Sequence, residues 1–540
     1  MKYFLSLFLF LVLGLQVNAQ VKFVGRFEIE SDLYDPLFEM MRTESGVVSF
    51  RTIPEKGRSF RRVFQLFNLD ENLNTEGLIE YPVREGFDMI GYDSDGGNLF
   101  VLFQKGFNLG AEKYIFKIDL LDNQGFEFDS NNLLDTQLVE FLVEEDKAIF
   151  MGNTDGRPVL QIFDLENKNI HTIQGIYGND TQVLQIRKMT EIQAFEVVLS
   201  RKGQYRNREL QINTYDLFGN LLREIEVDQF GYNGQEILEG ILLPEENYQQ
   251  AMIGSFGLDR RDAYQGMYIM NINEFGEYDF DLYTLEDFPN FFNYLPEKVK
   301  EKKDKEIEKN IEKGKDTNIR NVYAIRDVRV TPDAYYIYFD HFNIINSRGN
   351  NRPGFFSPTS LYRYDRASRM GYSPFFNDLR IPSVFPNNSQ FQLTTEYKYI
   401  SAHFIKVGKE GNVIWDNAST YDDFLTAYPD AFGEIAVLGE DLYHLFVKNL
   451  LIKMSFFRKG EKIFDNIDFE IKLINEDERI RETNASSLKL THWYGSYFLL
   501  SGTQRIRFLN ESGKEENREV FFITKILVDG DLYEFPEESD

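Results

Sequence analysis

The chain has 540 residues, of which 42% are hydrophobic and 15% aromatic, and its formal net charge is −28 at pH 7. The apolar content excludes disorder throughout the chain, and the acidic balance argues against a nucleic-acid partner, whose phosphates need concentrated Lys and Arg. The absence of cysteine excludes disulfides and thiol chemistry. For the same reason we expect no lipid anchor of the lipoprotein type.

The first predicted element is a secretory signal peptide over residues 1–19. One lysine precedes an apolar run from Tyr3 to Leu15, and Ala19 closes a small-x-small cleavage pattern. The run is short for a membrane span, and no later apolar stretch reaches about 18 residues. We therefore expect a soluble mature chain that begins near Gln20 and is exported to the periplasm or beyond.

One structural unit then recurs along the chain. It consists of an apolar strand, a turn, an alternating strand, a turn related to Asp-x-x-Gly and a third strand. Copies start roughly 45 to 55 residues apart, which is the period of four-stranded propeller blades. Radial stacking of such sheets buries both faces of each and leaves only short edges. The copies are residues 62–81, 99–128, 148–173, 195–227, 251–282, 441–471 and 497–535.

The most suggestive local motif is YDSDGGNLF at residues 92–100. Asp93 and Asp95 precede Gly96 and Gly97, an arrangement that resembles the Asp-box turn of sialidase-type propellers and offers part of a calcium loop. The motif occurs once, and a calcium loop needs more oxygen ligands in order. A hairpin turn in which the two glycines supply positive φ angles explains it more simply.

Several surface loops mix arginine with Tyr, Phe or Asn. Rigid rings supply contact area and arginine supplies forked hydrogen bonds, so this mixture suits contact with carbohydrate or protein. Solvated turn residues are the simpler interpretation, and the sequence leaves both open. The arginines are Arg201, Arg206 and Arg208 near one turn, and Arg260 and Arg261 in an Asp-Arg-Arg-Asp loop.

The regular spacing fails after residue 282. Residues 288–314 change to a run of strong helix formers, in which Pro296 suits the first helical position and Gly314 suits the position after the last. We predict one exposed helix inserted between blades. It is either a solvated spacer or an element that docks a partner.

Segments 323–344 and 400–417 are predicted to be the two halves of one blade. The residues between them, about 345–390, are rich in Asn, Pro, Ser, Arg and Tyr, which indicates a long surface loop.

This pair of segments carries a family resemblance. RDVRVTPDAYYIY, a long interruption and then HFIKVGKEGNVIW, with the usage of Phe, Tyr, Asn and Lys, resembles exported, uncharacterised propeller-like proteins of Bacteroidota over residues 323–415. The resemblance implies a fold and a compartment and supplies no catalytic residues. Those proteins often have Asp-Gly-Gly where this chain has Pro-Asp-Ala at 332–334.

Signals for chemistry are weak. The chain has no Gly-x-Ser-x-Gly elbow and no phosphate loop of the required spacing. The histidines are spread singly, without the spacing of a zinc-binding helix, so each is interpreted as a strand or turn residue. Carboxylate pairs for glycoside hydrolysis stay open among 87 Asp and Glu, because sequence spacing does not reveal separation across blades. The histidines are His171, His341, His403, His444 and His492.

These observations predict an all-β fold: a single β-propeller of seven or eight blades over residues 20–540, with tandem β-sandwich modules as the alternative. We predict no catalytic, cofactor-binding or metal-binding residues and no cofactor. The predicted function is an exported binding or scaffold protein that presents propeller loops to a protein or glycan partner. The alternative is a glycoside hydrolase whose carboxylates, some with raised pKa, converge in the central channel.

Overall fold

The computed structural model describes most of the chain. The predicted signal peptide and nearly all of the predicted loop at 345–390 lie outside the described residues. Those residues are 21–43, 46–55, 58–106, 110–130, 133–155, 157–178, 181–202, 208–227, 235–246, 248–258, 263–315, 322–346, 395–426, 431–510 and 512–529.

The described residues form strands almost throughout, with one α-helix. In chain order the strands are β1 (Lys22–Glu30), β2 (Glu39–Thr43), β3 (Gly46–Glu55), β4 (Arg58–Asp70), β5 (Ile79–Pro82), β6 (Phe87–Asp95), β7 (Asn98–Lys105), β8 (Lys113–Asp119), β9 (Gly125–Asp129), β10 (Gln137–Glu144), β11 (Lys147–Thr154), β12 (Arg157–Asp164), β13 (Ile170–Thr172), β14 (Gln182–Met189), β15 (Ala194–Lys202), β16 (Arg208–Asp216), β17 (Leu221–Val227), β18 (Glu236–Leu242), β19 (Gln250–Leu258), β20 (Ala263–Ile272), β21 (Tyr278–Thr284), β22 (Val322–Val330), β23 (Ala334–Asn346), β24 (Thr395–Gly408), β25 (Val413–Thr426), β26 (Glu434–Leu438), β27 (Asp441–Lys448), β28 (Leu451–Arg458), β29 (Glu461–Glu470), β30 (Arg479–Thr483), β31 (Lys489–Tyr494), β32 (Tyr497–Leu509) and β33 (Glu515–Leu527). The helix is α1 (Glu297–Ile311).

These strands form seven antiparallel sheets of four strands and one of five. Each four-stranded sheet uses consecutive strands in up-and-down order, and in the last sheet β30 and β31 both pair with β32, followed by β33 and β1. The fold is an eight-bladed β-propeller, which confirms the predicted fold class. We number the blades by their first strands: β2, β6, β10, β14, β18, β22, β26 and β30.

The chain divides into two compact units. The larger unit, Phe38–Ala431, holds the first six blades, and the smaller unit, Met1–Leu37 with Phe432–Asp540, holds the other two.

The predicted repeat unit corresponds to the second, third and fourth strands of a blade. Residues 99–128, for example, cover β7, β8 and β9, and residues 195–227 cover β15, β16 and β17. In the blades that these seven copies represent, the first strand lies outside the copy, and the copy at 62–81 also omits the second strand, β3. Segments 323–344 and 400–417 form the sixth blade, β22 to β25, as predicted.

The eighth blade corrects one prediction. The predicted copy at 497–535 repeats the three-strand unit, but its described residues supply only β32 and β33, and β1 from the beginning of the chain pairs with β33, with Glu30 opposite Val520. Arg518 on β33 bonds Glu28 on β1 at 2.8 Å. Pairing with β1 satisfies backbone groups that an open edge would leave bare.

The predicted Asp-x-x-Gly turns are Asx turns at the same place in five consecutive blades. In each, a side-chain oxygen at the end of the third strand accepts hydrogen bonds from backbone amides within the turn. Asp216, for example, accepts from Phe218 at 2.9 Å and from Asn220 at 2.8 Å. These bonds satisfy the backbone amides of the turns. Because the five residues occupy equivalent places, positions in different blades can be compared by counting from them. They are Asp70, Asp119, Asp164, Asp216 and Asn273.

Polar side chains pin the first strands of neighbouring blades together in the larger unit. Each accepts a hydrogen bond from a backbone amide in the first strand of the next blade. A β-bulge lies just before Gln185 and Glu239 in their strands, and a bulge re-aims the side chains that follow it. The pairs are Asp93 with Val143, Gln185 with Leu242 and Glu239 with Ile325, at 2.7, 2.9 and 2.7 Å.

The pin at Asp93 also carries a buried cation. The ammonium of Lys188, on the first strand of the fourth blade, lies 2.9 Å from Asp93 Oδ2 and 3.9 Å from Glu144 Oε2. It also donates to the backbone carbonyls of Ser94 and Val143, each at 2.8 Å. One lysine thus joins three successive blades.

The motif at Asp93 and Asp95 combines a hairpin turn with contacts to the neighbouring blades. Gly96 and Gly97 have φ angles of 52° and 78°, as the predicted hairpin turn requires. Asp93 faces Lys188, and Asp95 accepts a hydrogen bond from the amide of Glu145 at 2.8 Å. The motif is therefore a structural pin between blades whose cation is an ammonium group.

The helix is shorter than the predicted range 288–314. Pro296 is the N-cap residue, with φ −57° and ψ 142°, and not the first helical residue. No residue of α1 is buried, whereas Phe288 and Phe291 just before it are. The apolar start of the predicted helix is instead an irregular segment anchored in the core.

We expect the Lys188→Met variant to unfold more easily than the wild type by about 3 kcal/mol or more. The substitution leaves the carboxylates of Asp93 and Glu144 buried without their cation, a change that is strongly destabilising. Urea unfolding measures the difference. Lys117→Met is the control, because its ion pair with Asp146 is more exposed and contributes less than about 1 kcal/mol. Equal losses in the two variants would contradict the role given to Lys188.

Candidate functional site: a cleft between the third and fourth blades

A cleft of about 480 Å³ opens between the third and fourth blades, within the larger unit. Its volume lies within the range of about 300 to 1,000 Å³ that is usual for ligand sites. We call it the inter-blade cleft. Its lining residues are His171, Thr172, Ile173, Gln174 and Gly175 from the third blade and the segment after it, and Arg201, Gln211, Asn213, Tyr215, Phe218, Gly219, Asn220, Leu221 and Glu224 from the fourth.

The cleft opens where the fourth blade lacks large apolar side chains. The fifth and third residues before each Asx-turn residue face the preceding blade. In the fourth blade these positions hold Gln211 and Asn213. In the second and fifth blades the same positions are filled by large buried side chains: Tyr114 and Phe116, and Tyr268 and Met270.

The facing wall is also short. The fourth strand of the third blade, β13, has three residues, whereas its counterpart in the fourth blade, β17, has seven. The third blade therefore covers less of its neighbour's surface.

The floor of the cleft is one side of strand β16. Gln211, Asn213 and Tyr215 occupy alternate positions, so their side chains share a face of the sheet. The ring of Tyr215 stacks on Phe195 of the neighbouring strand, with ring centroids 5.7 Å apart. Burial raises the pKa of the Tyr215 hydroxyl, so this group stays protonated at neutral pH.

Two buried oxygens at this floor have no hydrogen-bond partner among the described residues. Gln211 donates its amide nitrogen to Glu224, and Asn213 donates to the Tyr215 hydroxyl at 2.9 Å. Gln211 Oε1 and Asn213 Oδ1 remain unpaired, although the two residues are only 5% and 3% exposed. A buried acceptor without a partner costs about 1 to 3 kcal/mol. Both of these acceptors lie on the fourth-blade wall of the cleft.

Gln65 shows what the same side chain does when its needs are met within the chain. It lies five residues before Asp70, as Gln211 lies five before Asp216, and it also donates to a glutamate on the next strand, Glu80, at 2.7 Å. Its oxygen, however, accepts a hydrogen bond from Arg51 Nε at 2.8 Å. At this position, therefore, Gln65 Oε1 has a partner within the chain, whereas Gln211 Oε1 has none among the described residues.

Charged and aromatic groups surround these oxygens. Arg201 donates a hydrogen bond to the carbonyl of Gly175 and so bridges the two walls. The carboxylate of Glu224 lies on the exposed side, and the ring of Phe218, 64% exposed, stands in the turn at the rim. The cleft therefore offers acceptors, one guanidinium and an apolar ring, which suits a neutral ligand that both donates and accepts hydrogen bonds.

Arg201 and Arg208, which the sequence places near one turn, lie on the two paired strands of one hairpin, β15 and β16, with Arg201 opposite Glu209 and Arg208 opposite Lys202. Arg201 lines the inter-blade cleft, and Arg208 begins strand β16. Arg206, Arg260 and Arg261 lie outside the described residues, as does the whole Asp-Arg-Arg-Asp loop.

Two of the five histidines come together, although the sequence spreads them singly. On neighbouring strands of the sixth blade, Ser401 Oγ lies 2.9 Å from His341 Nδ1 and 3.0 Å from His403 Nε2. Burial lowers the pKa of His341 to about 3, so it is neutral at physiological pH. His171 lines the cleft, and His444 and His492 lie on strands β27 and β31.

Across the described ranges, no three His, Asp or Glu side chains are grouped so that they could hold a metal ion.

Buried carboxylates with raised pKa values do occur on first strands. Burial raises the pKa of Glu239 to about 7, and burial together with the charge of Asp95 raises that of Glu144. Glu239 is bonded to the amide of Ile325, however, and Glu144 lies beside Lys188, so both have structural partners. Burial between the blades raises their pKa values, and the contacts with Ile325 and Lys188 partly oppose that rise. Convergence of carboxylates for glycoside hydrolysis stays a prediction.

The chain is similar to several solved structures but matches no known protein family. No protein-family model and no curated protein matches the chain. The β-propeller domain of the Trilobed protease from Pyrococcus furiosus is 8% identical, with 80% of this chain and 98% of that chain covered and a TM-score of 0.33. Polysaccharide lyase Uly1 is 9% identical, with 94% and 100% covered and a TM-score of 0.37. AztD from Citrobacter koseri is 12% identical, with 81% and 86% covered and a TM-score of 0.37. These similarities carry no argument about function.

In the part of the chain that the structure describes, no helix has the length and apolar character needed to cross a membrane.

We expect Gln211→Leu to change the free energy of unfolding by less than about 1 kcal/mol, because the loss of the hydrogen bond to the exposed Glu224 is offset by the removal of a buried acceptor that has no partner. Gln65→Leu should cost about 2 kcal/mol, because it takes a hydrogen bond from the buried guanidinium of Arg51. Urea unfolding without added ligand compares the two variants. If Gln211→Leu is the more damaging, its oxygen is satisfied within the chain.

We expect Glu239→Gln to be more stable than the wild type at pH 8 by about 2 to 3 kcal/mol and similar to it near pH 4.5. The folded carboxyl holds its proton up to a pKa of about 7, above the usual 4.5, so the wild type loses stability as pH rises through that range. The glutamine keeps an oxygen for the amide of Ile325. Thermal unfolding across this pH range tests the difference, with the exposed Glu274→Gln as control. A difference between Glu239→Gln and the wild type that does not depend on pH would contradict the raised pKa.

Proposed function

We propose that the protein is an exported binding protein whose inter-blade cleft holds a polyhydroxylated ligand, a glycan. The observation that carries the proposal is the pair of buried oxygens, Gln211 Oε1 and Asn213 Oδ1, that lack a partner in the described chain. Export rests on the predicted signal peptide over residues 1–19.

Sugar hydroxyls match this set of groups. A hydroxyl donates one hydrogen bond and accepts others, so one sugar ring can donate to the two amide oxygens and accept from Arg201. The apolar face of the ring can pack on Phe218 at the rim. A site built to bond hydroxyls discriminates strongly, because a ligand that lacks them leaves buried polar groups unpaired.

The shape of the site favours a glycan over a protein partner. A protein–protein interface spreads over a broad surface, with about 800 Å² on each partner. The polar groups here converge instead inside a concavity of about 480 Å³. This is the form of a site for a small or chain-like ligand.

Titration calorimetry with glucose, galactose and N-acetylglucosamine tests the proposal. Gln211→Leu and Arg201→Ala should each weaken binding of the sugar that binds best by about fivefold to tenfold, the equivalent of a lost hydrogen bond. Arg223→Ala is the matched control, because Arg223 also donates to a backbone carbonyl, that of Asn273, but does not line the cleft.

Three outcomes would overturn the proposal. They are the absence of binding to any of these sugars or their linear oligomers, equal affinities for the wild type and both cleft variants, and tighter binding of an unstructured peptide than of any sugar. A crystal structure from a sugar soak that shows only ordered water on the two amide oxygens would also count against it.

A further inference from the structure

A second cleft meets the inter-blade cleft at the end of strand β13. Its volume is about 650 Å³, and Thr172 and Ile173 line both clefts. The other lining residues are Leu133, Leu134, Asp135, Thr154, Val159 and Tyr177. Strand β13 has only three residues, and it forms the short wall that separates the two clefts.

The two clefts differ in chemistry. The walls of the second cleft are mostly apolar, with Leu133, Leu134 and Val159, where the inter-blade cleft is mostly amide and charge. The backbone amide of Leu134 donates to Gln161 Oε1 at 2.8 Å, which fixes the segment that forms one wall. The second cleft is thus preformed, and its surface suits the carbon face of a ligand more than its hydroxyl edge.

Tyr177 gives the second cleft a fixed aromatic ring. The residue is 50% exposed, and its hydroxyl accepts a hydrogen bond from Arg157 at 2.8 Å. The Arg157 guanidinium also lies 5.0 Å from the ring centroid, a cation–π contact. An exposed ring that its neighbour holds in place costs little entropy to use as a binding platform.

We infer that the second cleft is a further subsite of the same binding site and that the ligand is a linear oligosaccharide. The inference rests on the proposed function. One sugar unit bonds the amide oxygens of Gln211 and Asn213, the chain crosses Thr172 and Ile173, and a following unit packs its carbon face on the ring of Tyr177. Alternation of a hydroxyl-bonding subsite with a stacking subsite is a pattern that a chain of repeated sugar units can satisfy.

The dependence of affinity on oligomer length tests this inference. Calorimetry would compare each monosaccharide named above with its linear oligomers of increasing length. We expect oligomers long enough to cross β13 to bind about tenfold more tightly than the monosaccharide. Tyr177→Ala should remove that gain, and Tyr177→Phe, which keeps the ring, should retain most of it. Tyr248→Ala is the control, since Tyr248 is an exposed tyrosine outside both clefts.

The outcomes separate the two proposals. If a monosaccharide binds and Gln211→Leu weakens it, but affinity does not rise with length, the second subsite is overturned and the proposed function stands. A length gain that survives in Tyr177→Ala overturns the role of Tyr177 and with it the subsite. If neither sugars nor oligomers bind, the proposed function itself fails.

Discussion

Buried polar side chains that bond the backbone of a neighbouring blade are the interaction on which the larger unit depends. Apolar contact between two sheets has no preferred direction, so it does not by itself fix how one blade lies against the next. The hydrogen bond that Glu239 accepts from the amide of Ile325 is directional and fixes the position of one first strand relative to the other. Lys188 extends the same device by joining carboxylates and carbonyls of two preceding blades. Burying these charged groups is unfavourable unless each one has its partner, so the folded state depends on the partners being in place.

The inter-blade cleft differs from the other contacts between blades in what fills it. Elsewhere the contact between blades is filled by rings such as Tyr114 and Tyr268, and the amide of Gln65 is satisfied by Arg51. In the fourth blade, Gln211 and Asn213 take the place of large apolar side chains, and their side-chain oxygens have no hydrogen-bond partner among the described residues. Loss of stability at one place in an otherwise well-packed fold is typical of a binding site, where the ligand supplies the missing contacts.

Burial alone accounts for the unusual titration of several groups and does not by itself mark chemistry. Burial disfavours the charged form of both groups: it lowers the pKa of His341 to about 3 and raises the pKa of Glu239 to about 7. His341 and His403 share Ser401 among aromatic rings. The sixth blade therefore uses histidine as a polar core residue.

The sequence by itself determined the repeat unit, the Asx turns, the single helix and the absence of thiol chemistry, because strand alternation and turn chemistry are local properties of the chain. It revealed the first strand of the sixth blade but not the first strands of the blades that the recognised copies represent. In several of those strands a bulge, such as the one before Gln185, interrupts the alternation. The tertiary structure alone decided that β1 completes the eighth blade, that Asp93 faces Lys188, and that the oxygen of Gln211 has no partner in the described chain where that of Gln65 has one. Each of these depends on which residues from distant parts of the chain meet across blades, and no local pattern encodes such a meeting.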